Sequence, residues 1–321
     1  MTVIRLGYVA MIVQLKNSSP SQTMTYKHYS TFPDKEAAKR KLERIASSNL
    51  QNCLRLLRHN AAHDIHFFRL SSRLIPLATH EDLAGWDYLQ PLQEDFAAIG
   101  EFAKKHEMRL DFHPDHFVLL NSPRSEVVKA SLHTLKLHYD MLRAMKIDPV
   151  HRCVMHVGGV YNNKEKALET FIENWGVIPK NIQHMIMLEN DDKSFTLHDT
   201  LYLCEKLNIP LAFDIHHHLA HHEKAAWEED WERVLGTWKD SPLPVKMHIS
   251  SPKSESQYRA HADYIDPGMF MDFLKKVKGS TEQIDCMIEA KKKDEALFKL
   301  VTDLHHYADI EWIDQATFRI T

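Results

Sequence analysis

The sequence predicts an α/β fold, a single (β/α)8 TIM barrel occupying one domain over residues 1–321, and three observations lead there. Eight short, largely apolar runs alternate with longer amphipathic stretches, the strand-then-helix order of a parallel barrel whose strands are buried on both faces. Six of the eight runs finish in His, Glu or Asp, and a barrel gathers its active site at those ends. No GxGxxG or GxxxxGK[ST] follows any run, so the cue for an open doubly wound sheet is missing.

Each element has its own reason. The first run, 4–10 (IRLGYVA), is followed by 17–31, rich in Ser, Thr and Tyr and expected as a long loop. Asp34 then offers a capping oxygen to a helix over 35–60. The second run, 65–70 (IHFFRL), leads to a helix over 88–106, and the third, 110–113 (LDFH), to one over 125–145 that opens with Ser125 and Glu126. CVMHV at 153–157 and MIML at 185–188 precede helices over 164–175 and 197–207, the second opened by Thr196-Leu197-His198-Asp199. LAFDI at 211–215, VKMHI at 245–249 and CMIEA at 286–290 complete the eight strands, with helices over 230–238, 268–278 and 295–307. Residues 296–321 are expected as a C-terminal helix and tail. A second irregular stretch, 250–266, follows the seventh run, and long loops after barrel strands usually carry function.

Composition narrows the class. With 44% hydrophobic and 26% charged residues, 9 Gly and 13 Pro in 321 positions, the chain is globular rather than disordered or fibrous. No apolar run approaches the roughly 18 residues of a membrane span, and MTVIRLGYVAMIVQLKNSS lacks a signal-peptide layout. Cys53, Cys153, Cys204 and Cys286 form no CxxC pair, which excludes zinc ribbons and disulfide scaffolds and fits a reducing cytoplasm. A cytoplasmic monomer with no membrane partner is expected. Residues 1–80 hold 12 Lys or Arg against 4 Asp or Glu, a local +8 within a chain of net charge −4. Such an asymmetry serves a polyanionic ligand, or else marks a merely solvated basic helix face.

The residues ending the strands carry the chemistry. They are His113, His156, Glu189, Asp214, His248 and Glu289. Converging unpaired in a barrel mouth, they would cost several kcal/mol each to bury, and divalent cations remove that cost. Imidazole with carboxylate and no thiolate suits Zn, Mn or Fe(II). Six ligands are too many for one tetrahedral ion, so two or three ions are expected, with Glu189 on a middle strand placed to bridge two. Ions about 4 Å apart clamp an in-line displacement at phosphorus, and the same centre serves sugar isomerisation. The ligands leave the reaction open.

Other groups crowd the rim. Strand alternation points Asp214 and His216 one way and His217 the other, unless the strand ends first and a loop turns His217 inward. His221 and His222 are expected at the surface. Lys246, two residues before His248, shares its face, and an inward ammonium calls for a salt bridge or a modified amine. His80 and His261 stand on loops after the second and seventh strands, and taken singly each reads as a surface residue.

LGY at 6–8, FFRLSSRLIPLATH at 67–80, FHP at 112–114, MHVGG at 155–159, LEND at 188–191, FDIHHH at 213–218, VKMHIS at 245–250, AHADYI at 260–265 and IEAKKK at 288–293 stand in order along the chain. Together they resemble the UV damage endonucleases, the UvdE family. The resemblance implies a metal-dependent enzyme that nicks double-stranded DNA immediately 5′ to cyclobutane pyrimidine dimers and (6-4) photoproducts, leaving a 3′-hydroxyl and a 5′-phosphate. It implies one metal site of His113, His156 and Glu189, and a second of Glu189, Asp214, His248 and Glu289. His217 and His261 would belong to a third. The ions would be two or three Mn2+, with Mg2+, Zn2+ or Co2+ as substitutes. Glu189, Glu289, Lys246 and His248 would be catalytic, with His80 and His218 further site candidates and the lysine able to carry a carboxylated amine. Tyr8, His116 and Phe117 fall where the family probes the distorted duplex. The last two replace Gln and Tyr, keeping a hydrogen-bonding group and an aromatic wedge but losing a hydroxyl. The segment VAMIVQL after LGY also departs from the family pattern. Arg69, Arg73, Lys253, Arg259 and Lys291 are candidate phosphate contacts. On the same barrel, an abasic-site endonuclease or a metal-dependent sugar isomerase is the alternative enzyme. A metal-dependent DNA-binding module that has lost catalysis is the non-enzyme alternative.

Overall fold

The computed structural model describes all 321 residues. Its eight parallel strands are β1 (Thr2–Val9), β2 (Phe67–Arg69), β3 (Arg109–Asp111), β4 (Cys153–His156), β5 (Ile186–Glu189), β6 (Leu211–Asp214), β7 (Val245–Ile249) and β8 (Gln283–Ile288). They follow the order β3-β2-β1-β8-β7-β6-β5-β4, so β8 returns to β1, with Val3 opposite Gln283 and Tyr8 opposite Ile288. The gap between β3 and β4 is closed by a parallel bridge from Phe112 to Cys153. There the Phe112 N–H donates to the Arg152 carbonyl at 2.7 Å, and the Val154 N–H to the Phe112 carbonyl at 3.0 Å. This is the (β/α)8 barrel that the strand and helix alternation predicts.

Helices fill the connections. They are α1 (Tyr26–Ser30) and α2 (Lys35–Ala62) after β1, α3 (Gln93–Lys105) after β2, α4 (Ser125–Ala144) after β3, and α5 (Lys164–Trp175) with α6 (Lys180–Gln183) after β4. Next come α7 (Leu197–Leu207) after β5, α8 (Ile215–Ala220) with α9 (Trp231–Gly236) after β6, α10 (Pro267–Val277) after β7 and α11 (Lys293–Leu304) after β8. Asp34 caps α2 by accepting from the Glu36 N–H, and Thr196 forms a reciprocal capping box with Asp199 on α7. A contiguous core of 82 buried residues joins the helices to the outer face of the barrel.

Four elements differ from expectation. The 17–31 stretch is not all loop, because Thr25 accepts from the His28 N–H and starts α1. The helix expected from residue 88 begins at Gln93, since Asp87 accepts from the Leu89 and Gln90 N–H groups and holds a turn. FDIHHH is strand only to Asp214. The Asp214 carboxylate accepts from the His217 N–H at 2.7 Å and starts α8, so strand alternation does not govern His216 and His217. The tail also adds two strands, β9 (Ile310–Trp312) and β10 (Thr317–Ile320). β1 meets β2 only from Gly7 to Val9, which leaves the other edge of its first half open, and β10 covers it antiparallel, with Thr2 opposite Ile320.

The lower barrel interior is charged. Arg5, Arg109, Asp111, Lys246 and Asp285 pair with one another there. Phe67 lies beneath two of the cations, with the Arg109 guanidinium 5.3 Å and the Lys246 ammonium 5.4 Å from its ring centroid. Gly7 makes room for it. A Cβ at position 7 would stand 2.2 Å from the Phe67 carbonyl oxygen.

Candidate metal centre

Parallel register places the ligands side by side. His156 ends β4 opposite Glu189, which ends β5. His248 lies on β7 opposite Asp214, the last residue of β6. His113 follows β3 by two residues and Glu289 directly follows β8. Three overlapping sets result: His113, His156 and Glu189; Glu189, Asp214 and His217; and Glu189, His248 and Glu289, the ligand atoms of each within 4.8 Å of one another. Glu189 belongs to all three. Its Oε2 is 3.1 Å from His113 Nε2, and its Oε1 is 2.9 Å from His248 Nδ1 and 3.3 Å from His217 Nδ1.

Donor chemistry tests whether cations fit. His156 Nδ1, Glu189 Oε1 and Asp214 Oδ2 are buried with no hydrogen-bond partner. Buried polar atoms are otherwise nearly always paired, and three orphans in one cluster, each offering a lone pair, are what divalent ions would satisfy. The electrostatics agree. Burial pushes the Asp214 carboxyl up to about 8 against the pull of His217, with Glu189 and Glu289 adding repulsion. Burial also opposes ionisation of Glu189, yet His248 and His156, with the nearby rings of His113 and His217, hold its carboxyl well below the usual range. Three carboxylates, Glu189 and Asp214 buried and Glu289 half-buried, share one cluster, and nitrogen and oxygen donors without thiolate suit Mn, Mg, Zn or Co.

The same residues lie inside a match to a known family. The family model described as UV-endonuclease UvdE matches residues 4–319. The chain belongs to the UvdE family. A protein of Halalkalibacterium halodurans named UV DNA damage endonuclease is 52% identical over 314 residues, covering 98% of each chain. One of the same name from Bacillus pumilus is 41% identical over 301 residues, covering 94% of this chain and 93% of that one. The crystal structure of SacUVDE superposes with a TM-score of 0.82 at 32% identity, covering 94% of this chain and 98% of that one.

The remaining residues that resemble UvdE motifs divide. His261 stands beside the centre on the 250–266 loop, its ring centroid 6.1 Å from that of His217, outside the three sets. His216 is fully engaged, hydrogen-bonding Ser250 and the Tyr258 carbonyl, and so holds that loop against α8. His116 and Phe117 are exposed after β3. His116 also lines a cleft of about 360 Å³ that runs past His113 and His156 to Asp191, Asp192 and Lys193. Arg73, Lys253, Arg259 and Lys291 are exposed, as phosphate contacts must be.

Four residues sit elsewhere than the motifs implied, while Lys246 stands inward on its strand with the salt bridge that this position calls for. Tyr8 is 0% exposed and points out of the barrel into the helix layer, bonded to Asn60 of α2 and edge-on to Phe68, so it supports the fold and cannot touch DNA from there. His80 caps the short turn of residues 81–83 and stacks on Tyr26 with ring centroids 3.8 Å apart. His218 faces away from the centre, bonding the Ala225 carbonyl at 3.1 Å, because α8 turns it outward. Lys246 lies one strand layer below His248, salt-bridged to Asp111 at 3.1 Å. Arg69 is buried in the centre itself rather than at the rim, 2.6 Å from Glu289.

Two supporting residues escaped sequence reasoning. The Asn190 amide donates to the Asp214 carbonyl and accepts from the Asp214 N–H, both at 2.9 Å, pinning β5 to β6 beside the ligands. It stands in LEND beside the ligand Glu189. Asp111 had a signal too, an acid on the third run two residues before His113.

Proposed function

We propose that the protein is a divalent-metal-dependent DNA repair endonuclease that cuts the phosphodiester immediately 5′ to UV photolesions in duplex DNA. The observation that carries this reading is Glu189, shared by three ligand sets at the barrel mouth of a UvdE-family chain. The names of its relatives supply the damage class.

His113, His156 and Glu189 would hold one ion, Glu189, His248 and Glu289 a second, and Glu189 with Asp214 and His217 a third, His261 standing by. When bound, two or three such ions (Mn2+, with Mg2+, Zn2+ or Co2+ as substitutes) supply positive charge to the attacking and leaving oxygens of an already anionic phosphodiester. The protein supplies the rest. Arg73, Lys253, Arg259 and Lys291 meet backbone phosphates, and the basic first quarter of the chain adds long-range attraction. Phe117, 60% exposed beside the cleft, fills the gap left by an everted lesion, and His116 offers a hydrogen bond to it. Damage lowers the cost of unstacking by a few kcal/mol, which selects the lesion. Lys246 acts from below, fixing β7 and therefore His248. No helix is long and apolar enough to cross a membrane, which fits a DNA-directed enzyme of the cytoplasm.

The test is incubation with Mn2+ and, separately, a dimer-containing duplex, an abasic duplex and aldose sugars. Nicking 5′ to the dimer supports the reading. Reaction with sugars alone, or with the abasic duplex alone, overturns it.

A further inference from the structure

Arg69, the last residue of β2, is 9% exposed. Its Nη2 lies 2.6 Å from Glu289 Oε1, 2.9 Å from His248 Nε2 and 3.4 Å from His248 Nδ1. His248 Nδ1 is also the nitrogen that faces the carboxylates, 2.9 Å from Glu189 Oε1 and 3.3 Å from Glu289 Oε1. A guanidinium is permanently cationic and only donates. One nitrogen of Arg69 therefore rests against both protein atoms, His248 Nδ1 and Glu289 Oε1, that a divalent ion would use at this corner. An ion bridging those atoms would lie in contact with Nη2, cation against cation in a buried site, and would share Glu289 Oε1 with it.

We propose that Arg69 is a built-in competitor for the ion of the Glu189–His248–Glu289 corner. It neutralises Glu289 when that corner holds no ion and must swing off His248 and Glu289 before the corner fills. The corner is then the weakest of the three sets for metal, because only there does loading displace a cation that cannot shed its charge as a proton. His113, His156, Asp214 and His217 have no arginine or lysine within salt-bridge reach of their ligand sets. The Arg69 Nε is buried without a partner, so the contacts that hold the guanidinium here are those of Nη2 to Glu289 and His248.

This inference rests on the metal-dependent reading of the site. It is tested by titrating Mn2+ into the DNA-free protein and following free Mn2+ by electron paramagnetic resonance, for wild type, Arg69→Gln and Arg69→Lys. Glutamine keeps hydrogen-bonding capacity without charge, so Arg69→Gln should tighten the weakest Mn2+ site by about tenfold and leave the others unchanged. Arg69→Lys keeps the charge and should stay near wild type. A purely structural arginine predicts the reverse, weaker binding in Arg69→Gln. Equal or weaker binding by Arg69→Gln overturns the competitor role alone, whereas no Mn2+ binding by any of the three proteins overturns the metal reading and the inference with it. A crystal of Mn2+-loaded wild type provides a check that needs no variant. Arg69 should have left Glu289 Oε1, and an ion at the corner with the 2.6 Å contact intact overturns the proposal.

Discussion

Lys246 Nζ lies 3.1 Å from Asp111 Oδ2, and neither side chain reaches solvent. Asp111 also pairs with Arg109 at 3.1 Å and lies 3.8 Å from Arg152. Burial drags the Lys246 ammonium down to about 8 against the attraction of Asp111. On the other side, Arg109, Lys246 and Arg152 together overcome burial and hold the Asp111 carboxyl at about 2. Asp111 thus compensates Lys246 and shares Arg109 with Asp285. Asp111→Ala is expected to cost about 3–5 kcal/mol, because it leaves buried charge uncompensated. Urea unfolding checks this, and a midpoint equal to wild type would refute the network's role.

Glu189 contributes to every ligand set, so its loss should be felt by all the ions at once. Glu189→Ala is expected to abolish nicking and to lower the bound Mn2+ per chain measured by elemental analysis, with binding to damaged duplex largely retained. Cleavage near the wild-type rate would show that Glu189 does not bridge.

The ligands were legible because a parallel barrel converts a position along a strand into a position in space. Any His, Glu or Asp closing a strand arrives at the mouth, whatever its distance in sequence. Orientation was less legible. Tyr8 follows Gly7, and β1 alternates Arg5 and Gly7 inward against Ile4, Leu6 and Tyr8 outward. The LGY motif could be recognised, but which face carried its ring depended on the register of β1 against Phe67. His217 depended on Asp214 acting as a helix cap as well as a ligand, a double role that the residue types permit but do not require. The Arg69 partner was invisible, since an arginine at a strand end is equally suited to phosphate or to a carboxylate from a strand two places away. The closing strand β10 was missed because open edge length on β1 is a property of the assembled sheet.

Phe117, next in the chain to the cleft-lining His116, is a large aromatic left 60% exposed. Stacking of a base on an aromatic side chain is worth about 1–3 kcal/mol. Phe117→Ala should weaken binding to a dimer-containing duplex by that amount and leave undamaged-duplex binding and thermal stability unchanged. Filter binding or fluorescence anisotropy separates the cases. An equal loss on undamaged DNA would mean that Phe117 merely touches the backbone.

His138 on α4 is fully buried, stacked on Phe112 with centroids 4.6 Å apart, and neither ring nitrogen has a partner. Burial, with repulsion from His113, pushes it from 6.5 down to about 3. Between those values the unfolded chain binds a proton that the folded chain refuses. Stability from this residue is therefore full above about 6.5 and is lost as pH falls toward 3, at up to about 1.4 kcal/mol per pH unit. His138→Leu should flatten the acid limb of stability against pH by up to one proton. Parallel curves for the two proteins would count against it.

Metal removal gives the broadest test. Folding collects Glu189 and Asp214, both buried, with the half-buried Glu289 in one cluster and leaves His156 Nδ1, Glu189 Oε1 and Asp214 Oδ2 without hydrogen bonds. Their repulsion and lost hydration work against the folded state only, since the unfolded chain disperses and hydrates them. Ions that bind the folded cluster and not the unfolded chain must then stabilise the fold, by about 2.7 kcal/mol per site at a hundredfold excess over the dissociation constant. Chelation should lower the melting temperature by several degrees, and Mn2+ should restore it. The neutral variant Glu189→Gln should start closer to the restored value and respond weakly to Mn2+, because it removes part of the repulsion and a ligand common to every set. If Mn2+ raised both proteins equally, the stabilising site would lie away from Glu189, and the shared-carboxylate geometry would not be what holds the ions.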